Sequence, residues 1–223
     1  MKKYIILFIG LGMMLGSCEF DNYDEPTSKI TGKIIYQGKT LGFRSKRLSL
    51  LLFQSGYQLH ESENVAINQD GTFSAIMFDG DYKLINPAGT NQPWVLRTDT
   101  VFFELNGQIA IDYEVTPYFI INNESYAKSG NNMTASCELE QIVGTSTLQS
   151  AALFISRTLI CDDRYNNGSH VIPAGDITDL SDVNFTVPIE QRILDFGYCF
   201  VRVGVKVNQA SEWLFTQVEK VEF

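Results

Sequence analysis

The side chains that could carry out catalysis in this sequence are two histidines and 26 acidic residues. His60 and His170 each stand in a polar stretch, and neither belongs to a GxSxG or an HExxH motif. The sequence therefore lacks the motifs of a serine hydrolase triad and of a zinc protease. Glycoside hydrolysis needs only two carboxylates that face each other across a cleft, and the sequence alone does not exclude such a pair. We expect a non-enzymatic protein without a cofactor, and we keep a glycoside hydrolase as the least favoured alternative.

The run 162–168, DDRYNNG, is rich in side-chain oxygens and raises the question of a calcium loop. It is not an EF-hand, because Tyr165 stands at the third loop position and Ala174 replaces the bidentate glutamate. We therefore expect a polar turn and no metal. The residues that an irregular calcium loop would use instead are Asp162, Asp163 and Asn167.

Aromatic residues in loops are the candidates for carbohydrate binding. A sugar ring stacks its apolar face on an aromatic side chain, while a few oriented polar groups contact its hydroxyls. The alternative for each aromatic residue is a lid over the core or a domain contact. The candidate glycan contacts are Trp94, Tyr57, Tyr126, Arg164, Tyr165 and Trp213.

Composition and charge limit the classes of partner. The chain has 17 Lys and Arg against 26 Asp and Glu, a formal net charge of -9, which repels phosphate backbones. We expect no nucleic-acid partner. Since 44% of the residues are hydrophobic and only 19% are charged, the chain can form a sizeable core and is not disordered.

The first residues have the pattern of a targeting segment. Lys2 and Lys3 precede an apolar run over 4–15, which is too short to span a bilayer and fits a signal-peptide core. The run closes on LGSC, ending at Cys18, which resembles the lipobox of bacterial lipoproteins. This resemblance implies a signal peptide over 1–17 and a lipid anchor on Cys18. The alternative is an ordinary secreted protein.

An acidic, polar stretch over 18–27 follows the anchor and is expected to act as a flexible tether. It resembles the surface-export signal of Bacteroidetes lipoproteins. The resemblance implies a lipid-anchored protein on the outer face of the outer membrane, with the lipid as its only membrane contact. A plain solvated linker is the alternative.

From Ser28 onward the apolar runs are short, alternate with polar residues and are bounded by turn residues, which predicts an all-β fold. The first series of strands is 30–36, 48–53, 64–67, 72–77, 81–85, 100–105 and 108–115. The second series is 118–121, 133–142, 151–160, 183–187, 198–207 and 213–223. Only 174–180 and 190–194 are candidates for a helical turn.

Thr116-Pro117 separates the two series, because proline cannot continue a central strand. We therefore predict two consecutive β-sandwiches, over 28–116 and 117–223. The length and strand spacing of the second fit an immunoglobulin-like domain. The dipeptides Asp70-Gly71, Asp79-Gly80 and Asn106-Gly107 are predicted hairpin turns.

Three cysteines follow Cys18. Cys137 and Cys199 each lie on the apolar face of a predicted strand and should point into the core. If these are the B and F strands of an immunoglobulin-like domain, the two thiols occupy the positions that such a domain bridges. A Cys137–Cys199 disulfide is therefore a candidate, and two buried free thiols are the favoured alternative. Because the three cysteines Cys137, Cys161 and Cys199 are an odd number, at least one stays unpaired or pairs between chains.

Three short segments carry a family resemblance: ITGKI over 30–34, QDGTF over 69–73 and DGDYKL over 79–84. They resemble the carboxypeptidase regulatory-like, or transthyretin-like, module. The whole chain resembles a two-domain Bacteroidetes lipoprotein family, domain of unknown function 3823. Members tend to be encoded beside outer-membrane glycan-uptake genes of the starch-utilisation type, which implies an accessory role in polysaccharide capture.

The resemblance implies a polysaccharide or oligosaccharide as ligand and a glycan-uptake complex as a further partner. It supplies no catalytic residues. A docking subunit of the transporter that contacts no sugar is the main alternative. The triplet Asp99-Thr100-Val101 also resembles a Bacteroidetes O-glycosylation signal, with Thr100 as the acceptor.

Overall fold

A computed structural model describes residues 24–56, 61–89 and 92–223. Cys18, Tyr57 and His60 lie outside the described residues. The described part of the chain is built of strands, with one turn of 3-10 helix at Ala174–Asp176 and one short helix, α1, at Gln191–Leu194. It contains no helix with the length and apolar character needed to cross a membrane. The predicted all-β, two-sandwich fold is confirmed.

The first domain contains strands β1 to β8. In order they are Ser28–Tyr36, Lys39–Thr40, Ser49–Gln54, Ser62–Ala66, Thr72–Met77, Gly80–Ile85, Val101–Leu105 and Gln108–Glu114. β1 pairs antiparallel with β5 and β2 and parallel with β8. The facing sheet is antiparallel in the order β4-β3-β6-β7. Alternate residues of both sheets, among them Ile34, Leu50 and Phe73, form the buried core between them.

Asp79-Gly80 and Asn106-Gly107 are corners between the two sheets and not hairpin turns. Asp70-Gly71 does close a short hairpin, with a bridge between Ile67 and Phe73 and a hydrogen bond of 2.8 Å from the Asn68 N–H to the Thr72 carbonyl oxygen. β5 and β6 belong to different sheets, as do β7 and β8, so the chain crosses the sandwich at Asp79-Gly80 and Asn106-Gly107. Gly107 has the positive φ of 75° that a tight turn requires. The dipeptides therefore indicate where the chain turns. Which strand pairs with which depends on the rest of the sandwich.

The second domain contains strands β9 to β16. In order they are Phe119–Ser129, Asn132–Gln141, Leu148–Ser156, Gly168–Pro173, Val183–Pro188, Tyr198–Val207, Leu214–Phe215 and Glu219–Glu222. One sheet has the order β13-β10-β9. The other has the order β12-β11-β14, with β15 and β16 on the free side of β14. β12 and the second half of β9 were not predicted, and the predicted strand 213–223 is split into β15 and β16.

The central strands β11 and β14 are buried on both faces. Val201, Val203 and Val205 of β14 face the core of the second sandwich. On the opposite face, Phe154 of β11 packs in a second apolar cluster with Trp213 and Phe215. This outer face is where the first domain contacts the second.

Candidate functional site

The contact between the domains is organised around Arg202, a fully buried residue of β14. Its guanidinium donates five hydrogen bonds to four main-chain carbonyl oxygens. Phe43 and Gln69 of the first domain provide two of them, at 3.1 and 3.5 Å. Cys161 and Thr216 of the second domain provide the others, with a shortest distance of 2.7 Å to Thr216. Arg202 therefore joins the two domains.

Burial lowers the pKa of Arg202 to about 10, which leaves the guanidinium charged at neutral pH. The charge is accommodated by the carbonyl dipoles and by the ring of Phe215, whose centroid lies 4.3 Å from the guanidinium carbon. Gly42 and Phe215 exchange two main-chain hydrogen bonds of 2.9 and 3.1 Å beside it. We call Gly42, Phe43, Arg202, Phe215 and Thr216 the seam.

The chain between β11 and β12, residues 157–167, forms a loop next to the seam, which we call the 157–167 loop. Asp162 holds it, because its Oδ1 accepts the main-chain N–H groups of Arg164 and Tyr165, both at 2.8 Å. Asn167 Oδ1 accepts the N–H of Arg157 at 2.9 Å. The oxygen-rich run thus forms a polar turn.

The three residues of the calcium alternative are placed accordingly: Asp162 and Asn167 hold the turn, and Asp163 accepts hydrogen bonds from Arg44. Among the residues that the structure describes, no group of three or more His, Cys, Asp or Glu side chains is close enough to hold a metal ion. The protein itself uses Asp162 Oδ1, the Asp163 carboxylate and Asn167 Oδ1, whereas Asp162 Oδ2 is buried without a hydrogen-bond partner in the described part of the chain.

Gln69 fixes the 157–167 loop against the first domain. Its side-chain Nε2 donates to the Leu159 carbonyl oxygen at 2.8 Å, and its Oε1 accepts the Cys161 N–H at 3.0 Å. One amide group therefore pairs with the loop backbone as a neighbouring strand would. The position of the loop is set by both domains together.

Above the seam, this arrangement leaves a shallow groove between the domains, made of two adjoining hollows. The first, the amide hollow, has a volume of about 380 Å³. Leu159 and Ile160 of the 157–167 loop contribute large apolar side chains that are 61% and 48% exposed. The residues that line it are Ser45, Asn68, Gln69, Asp70, Leu159, Ile160, Gln217 and Val218.

The second, the basic hollow, has a volume of about 420 Å³ and shares Ser45 with the first. Tyr165 gives it an aromatic ring that is 68% exposed. The residues that line it are Arg44, Ser45, Lys46, Arg47, Arg164 and Tyr165. Two of the residues that the sequence indicated for glycan contact, Arg164 and Tyr165, therefore lie together in the groove.

The two tryptophans are not available to a ligand. Trp94 is 1% exposed, donates from Nε1 to Asn86 Oδ1 at 2.9 Å, and packs edge-on against Phe43 with ring centroids 5.2 Å apart. Trp213 is 8% exposed and packs against Phe154 and Phe215. Neither presents a free ring face, so the prediction that they contact a glycan is wrong and the alternative role in packing is correct.

Tyr126 is also used inside the protein. Its hydroxyl lies 2.9 Å from Thr216 Oγ1 and accepts the Val203 N–H at 3.2 Å. Burial raises its pKa well above the ordinary value. Tyr126 therefore supports the seam from β9 and is not a sugar contact.

The cysteines after Cys18 are three buried free thiols, and the candidate Cys137–Cys199 disulfide is not formed. Cys137 lies on β10 and Cys199 on β14, strands of the two opposite sheets. Burial raises the pKa of Cys137 and Cys161 to about 12 and that of Cys199 to about 11. These thiols are protonated at neutral pH and pack as small apolar side chains.

Two further residues from the sequence have simple positions. His170 accepts the Thr186 N–H with its Nδ1 at 3.1 Å and so joins β12 to β13. Thr100 is half-buried directly before β7, beside Asp99, whose carboxylate accepts hydrogen bonds from Arg97. O-glycosylation of Thr100 stays a prediction.

Sequence reasoning missed the residues that build the groove, above all Arg202 and Gln69. Arg202 had a signal, because it interrupts the valines of β14 at a position facing away from the core. A charged residue there indicates either solvent or a polar partner, and the partner belongs to the other domain. Gln69 had no signal beyond its place before a predicted turn.

Family models cover most of the chain. Residues 28–116 match the N-terminal domain of a protein of unknown function, DUF3823, and residues 119–220 match the C-terminal domain of unknown function, DUF3823_C. No protein of curated function matches.

Solved structures with the same fold cover the same part of the chain. A DUF3823 family protein from Bacteroides ovatus is 32% identical, with a TM-score of 0.81, over 87% of this chain and 98% of that one. A DUF3823 family protein from Parabacteroides merdae is 34% identical, with the same TM-score, over 89% of this chain and all of that one. A protein from Bacteroides uniformis described as a "putative carbohydrate binding protein" is 17% identical, with a TM-score of 0.74, over 89% of this chain and 100% of its own.

Proposed function

This chain belongs to the DUF3823 family of unknown function, and from that premise we propose that it is a non-enzymatic, lipid-anchored glycan-binding protein, an accessory to polysaccharide capture. The groove between the domains is its binding site. The ligand is a polysaccharide or oligosaccharide.

The observation that carries the proposal is the combination of exposed apolar and amide groups in the groove. Tyr165, Leu159 and Ile160 offer apolar surface. Asn68 and Gln217 offer their amide oxygens to hydroxyl groups, because their amide nitrogens already donate to Thr72 Oγ1 and to the carbonyl oxygens of Thr40 and Asp70. The loop that presents them is held by internal hydrogen bonds and by Gln69. A ligand therefore meets a preorganised surface, which reduces the entropy lost on binding.

The carboxylates of the groove favour binding over hydrolysis. Asp70 is the single acidic residue among the described residues that line the two hollows. Its Oδ1 already accepts the N–H and the hydroxyl of Thr72, at 3.0 and 2.7 Å. A glycosidase needs a second carboxylate across the sugar.

A distant likeness in fold supports the same assignment. The Bacteroides uniformis protein described as a "putative carbohydrate binding protein" shares the architecture over the same part of the chain. At 17% identity this likeness concerns the fold, and the residues of the groove have to carry the function.

The proposal includes the anchor. Cys18 would carry the lipid and residues 18–27 would give the folded domains their reach from the outer face of the outer membrane. Ten residues span at most roughly 35 Å when extended. This reach would let the groove sample polysaccharide near the cell surface, beside an uptake complex.

A second function is favoured by a separate observation. The first domain exposes large apolar side chains outside the groove, at Ile76, Phe78 and Phe102. Such side chains suit a protein contact, so a docking subunit that binds no sugar is the second candidate.

The test is a glycan-array and affinity-gel screen of the chain from residue 19, with Tyr165→Ala and Phe102→Ala as a matched pair. Both side chains are exposed aromatics, and only Tyr165 lies in the groove. We expect Tyr165→Ala to weaken glycan binding roughly tenfold, as the loss of one stacking contact does, and Phe102→Ala to leave it unchanged. Absence of glycan binding in every arm would refute the proposal in favour of docking.

A further inference from the structure

The basic hollow is unusual because it concentrates positive charge in an acidic protein. The chain has a formal net charge of -9, yet four cationic side chains and no carboxylate line this one depression. The four cations are Arg44, Lys46, Arg47 and Arg164.

Two of the four cations are paired with carboxylates that lie behind them. Arg44 binds Asp163 at 3.2 Å and Glu212 at 3.1 Å, and Arg47 binds the same Glu212 oxygen at 2.8 Å. Glu212 is itself buried. These pairs fix the wall of the hollow. With Asp162, whose carboxylate accepts the N–H groups of Arg164 and Tyr165, three carboxylates stand against four cations and leave a net positive charge.

The other two cations project outward. The Arg164 side chain is 74% exposed, and its contact to Asp163 is at the 4.0 Å limit of an ion pair. Lys46 is exposed and makes no ion pair within the described residues. Both have donors left for a ligand.

Lys46 stands in a tight turn that joins it to the end of the strand region at Ile67. Lys46 has a φ of 55°, in the left-handed region that favours glycine, and its N–H is held by the Ile67 carbonyl oxygen at 2.8 Å. A glycine would adopt this turn with less strain.

We propose that the basic hollow binds the anionic substituent of an acidic polysaccharide, a carboxylate or a sulfate on a sugar ring. This inference rests on the proposed function and narrows its substrate class. Lys46 and Arg164 would make charge-assisted hydrogen bonds to the anion, and Tyr165 would stack on the ring that carries it. The adjoining amide hollow, which shares Ser45, would receive the next sugar of the chain.

The net charge of the protein limits which polyanions fit. A densely charged polymer is repelled by the remaining acidic surface, whereas a glycan with one anion on each ring or on alternate rings brings few charges at a time. The spacing of charge along the ligand is therefore part of the selectivity.

The experiment compares ligands that differ only in charge. Polygalacturonate is measured against its fully methyl-esterified form, and κ-carrageenan, which carries a sulfate on alternate rings, against its desulfated form, by affinity electrophoresis with the chain from residue 19. We expect at least one acidic form to bind roughly tenfold or more tightly than its neutral partner, and binding to weaken between about 0.1 M and about 1 M salt. The two ligand pairs distinguish a carboxylate from a sulfate.

The variants test the site. Lys46→Asn with Arg164→Gln removes both outward cations, and asparagine tolerates the positive φ at position 46. We expect the affinity for the acidic glycan to fall roughly tenfold or more. Lys29→Gln is the matched control, because Lys29 is an exposed cation at the start of β1, outside the groove. It should leave the affinity for the acidic glycan unchanged. The single variant Arg164→Gln keeps the test valid if position 46 affects folding.

The outcomes separate this inference from the proposed function. Equal binding of the charged and neutral forms, with no effect of the double variant, overturns the inference and leaves glycan binding in place. Binding of no glycan at all overturns both. An acidic preference that survives the double variant places the anion elsewhere and also overturns the assignment to the basic hollow.

Discussion

The seam and the groove are built from neighbouring chain segments, but their polar side chains differ in exposure: those of the seam are buried and those of the groove face solvent. In the seam, the donors of Arg202 are all used on carbonyl groups of both domains, away from solvent. In the groove, a few residues away, Arg164 and Tyr165 project into solvent. One side of the 157–167 loop therefore contributes to stability and the other is free for binding.

This difference teaches that the two properties can be separated by mutation. A substitution in the seam leaves buried polar groups without their hydrogen-bond partners, so it costs folding free energy. A substitution in the groove removes a side chain that water already surrounds, so it costs little stability. The following predictions test that separation.

The largest effect is expected for Arg202→Ala. It leaves the carbonyl groups of Phe43, Gln69, Cys161 and Thr216 with fewer or no partners in a buried site and creates a cavity beside Phe215. We expect the free energy of unfolding to fall by about 3–5 kcal/mol in urea titrations.

The control for Arg202 is Arg192→Ala, because Arg192 forms an exposed pair with Glu190 on α1. It should change stability by less than about 1 kcal/mol. Equal effects of the two variants would show that Arg202 does not join the domains.

Gly42→Ala should come next. A Cβ at this position would lie 2.5 Å from Arg202 Nη2 and 2.6 Å from the Thr216 carbonyl oxygen, so the seam has to shift. We expect the free energy of unfolding to fall by about 2 kcal/mol in the same urea titration. Gly144→Ala is its matched control, since a Cβ at Gly144 meets nothing within 4 Å. An unchanged free energy of unfolding for Gly42→Ala would show that the seam is less tightly packed than described.

Tyr126→Phe should have a smaller effect that depends on pH. At neutral pH the loss of its hydrogen bonds should cost about 1 kcal/mol. Because the folded protein raises the pKa of Tyr126 above its ordinary value of 10.0, the unfolded chain loses the hydroxyl proton first as pH rises. Wild-type stability should therefore fall more steeply than that of the variant above pH 10. Parallel stability curves between pH 7 and about 11 would contradict this.

The smallest effect on stability is expected in the groove. Tyr165→Ala and Arg164→Gln should each shift the free energy of unfolding by no more than about 0.5 kcal/mol, because both side chains are mostly exposed. Their effects should appear in glycan binding. A large loss of stability from either variant would show that the groove is part of the seam.

The elements of the fold were predictable to the extent that they depend on local pattern. Alternation located strands such as β5 and β14 at their observed bounds, and it correctly placed Cys137 and Cys199 among buried residues. Strand partners were less accessible, because a dipeptide such as Asn106-Gly107 specifies a turn and not the sheet that receives the next strand.

The candidate site was predictable only in part, for a related reason. Tyr165 and Arg164 belong to a loop whose polar composition predicts exposure. The burial of Trp94 and Trp213 depends on Phe43 and Phe154, which approach them from distant parts of the chain. The amide of Gln69 finds its partners 90 and 92 residues away, at Leu159 and Cys161.

On a chain anchored through Cys18, as proposed, the direction of β1 would set which way the groove points with respect to the membrane. The proposed tether, 18–27, ends just before Ser28, the first residue of β1. The turn 68–71 that borders the groove is bonded to Ile34 instead, through the hydrogen bond from the Ile34 N–H to the Gly71 carbonyl oxygen. Six residues of strand separate the two points, a distance of roughly 20 Å. On a chain anchored at Cys18, the groove would open at the far end of the first domain, toward the medium from which polysaccharide arrives.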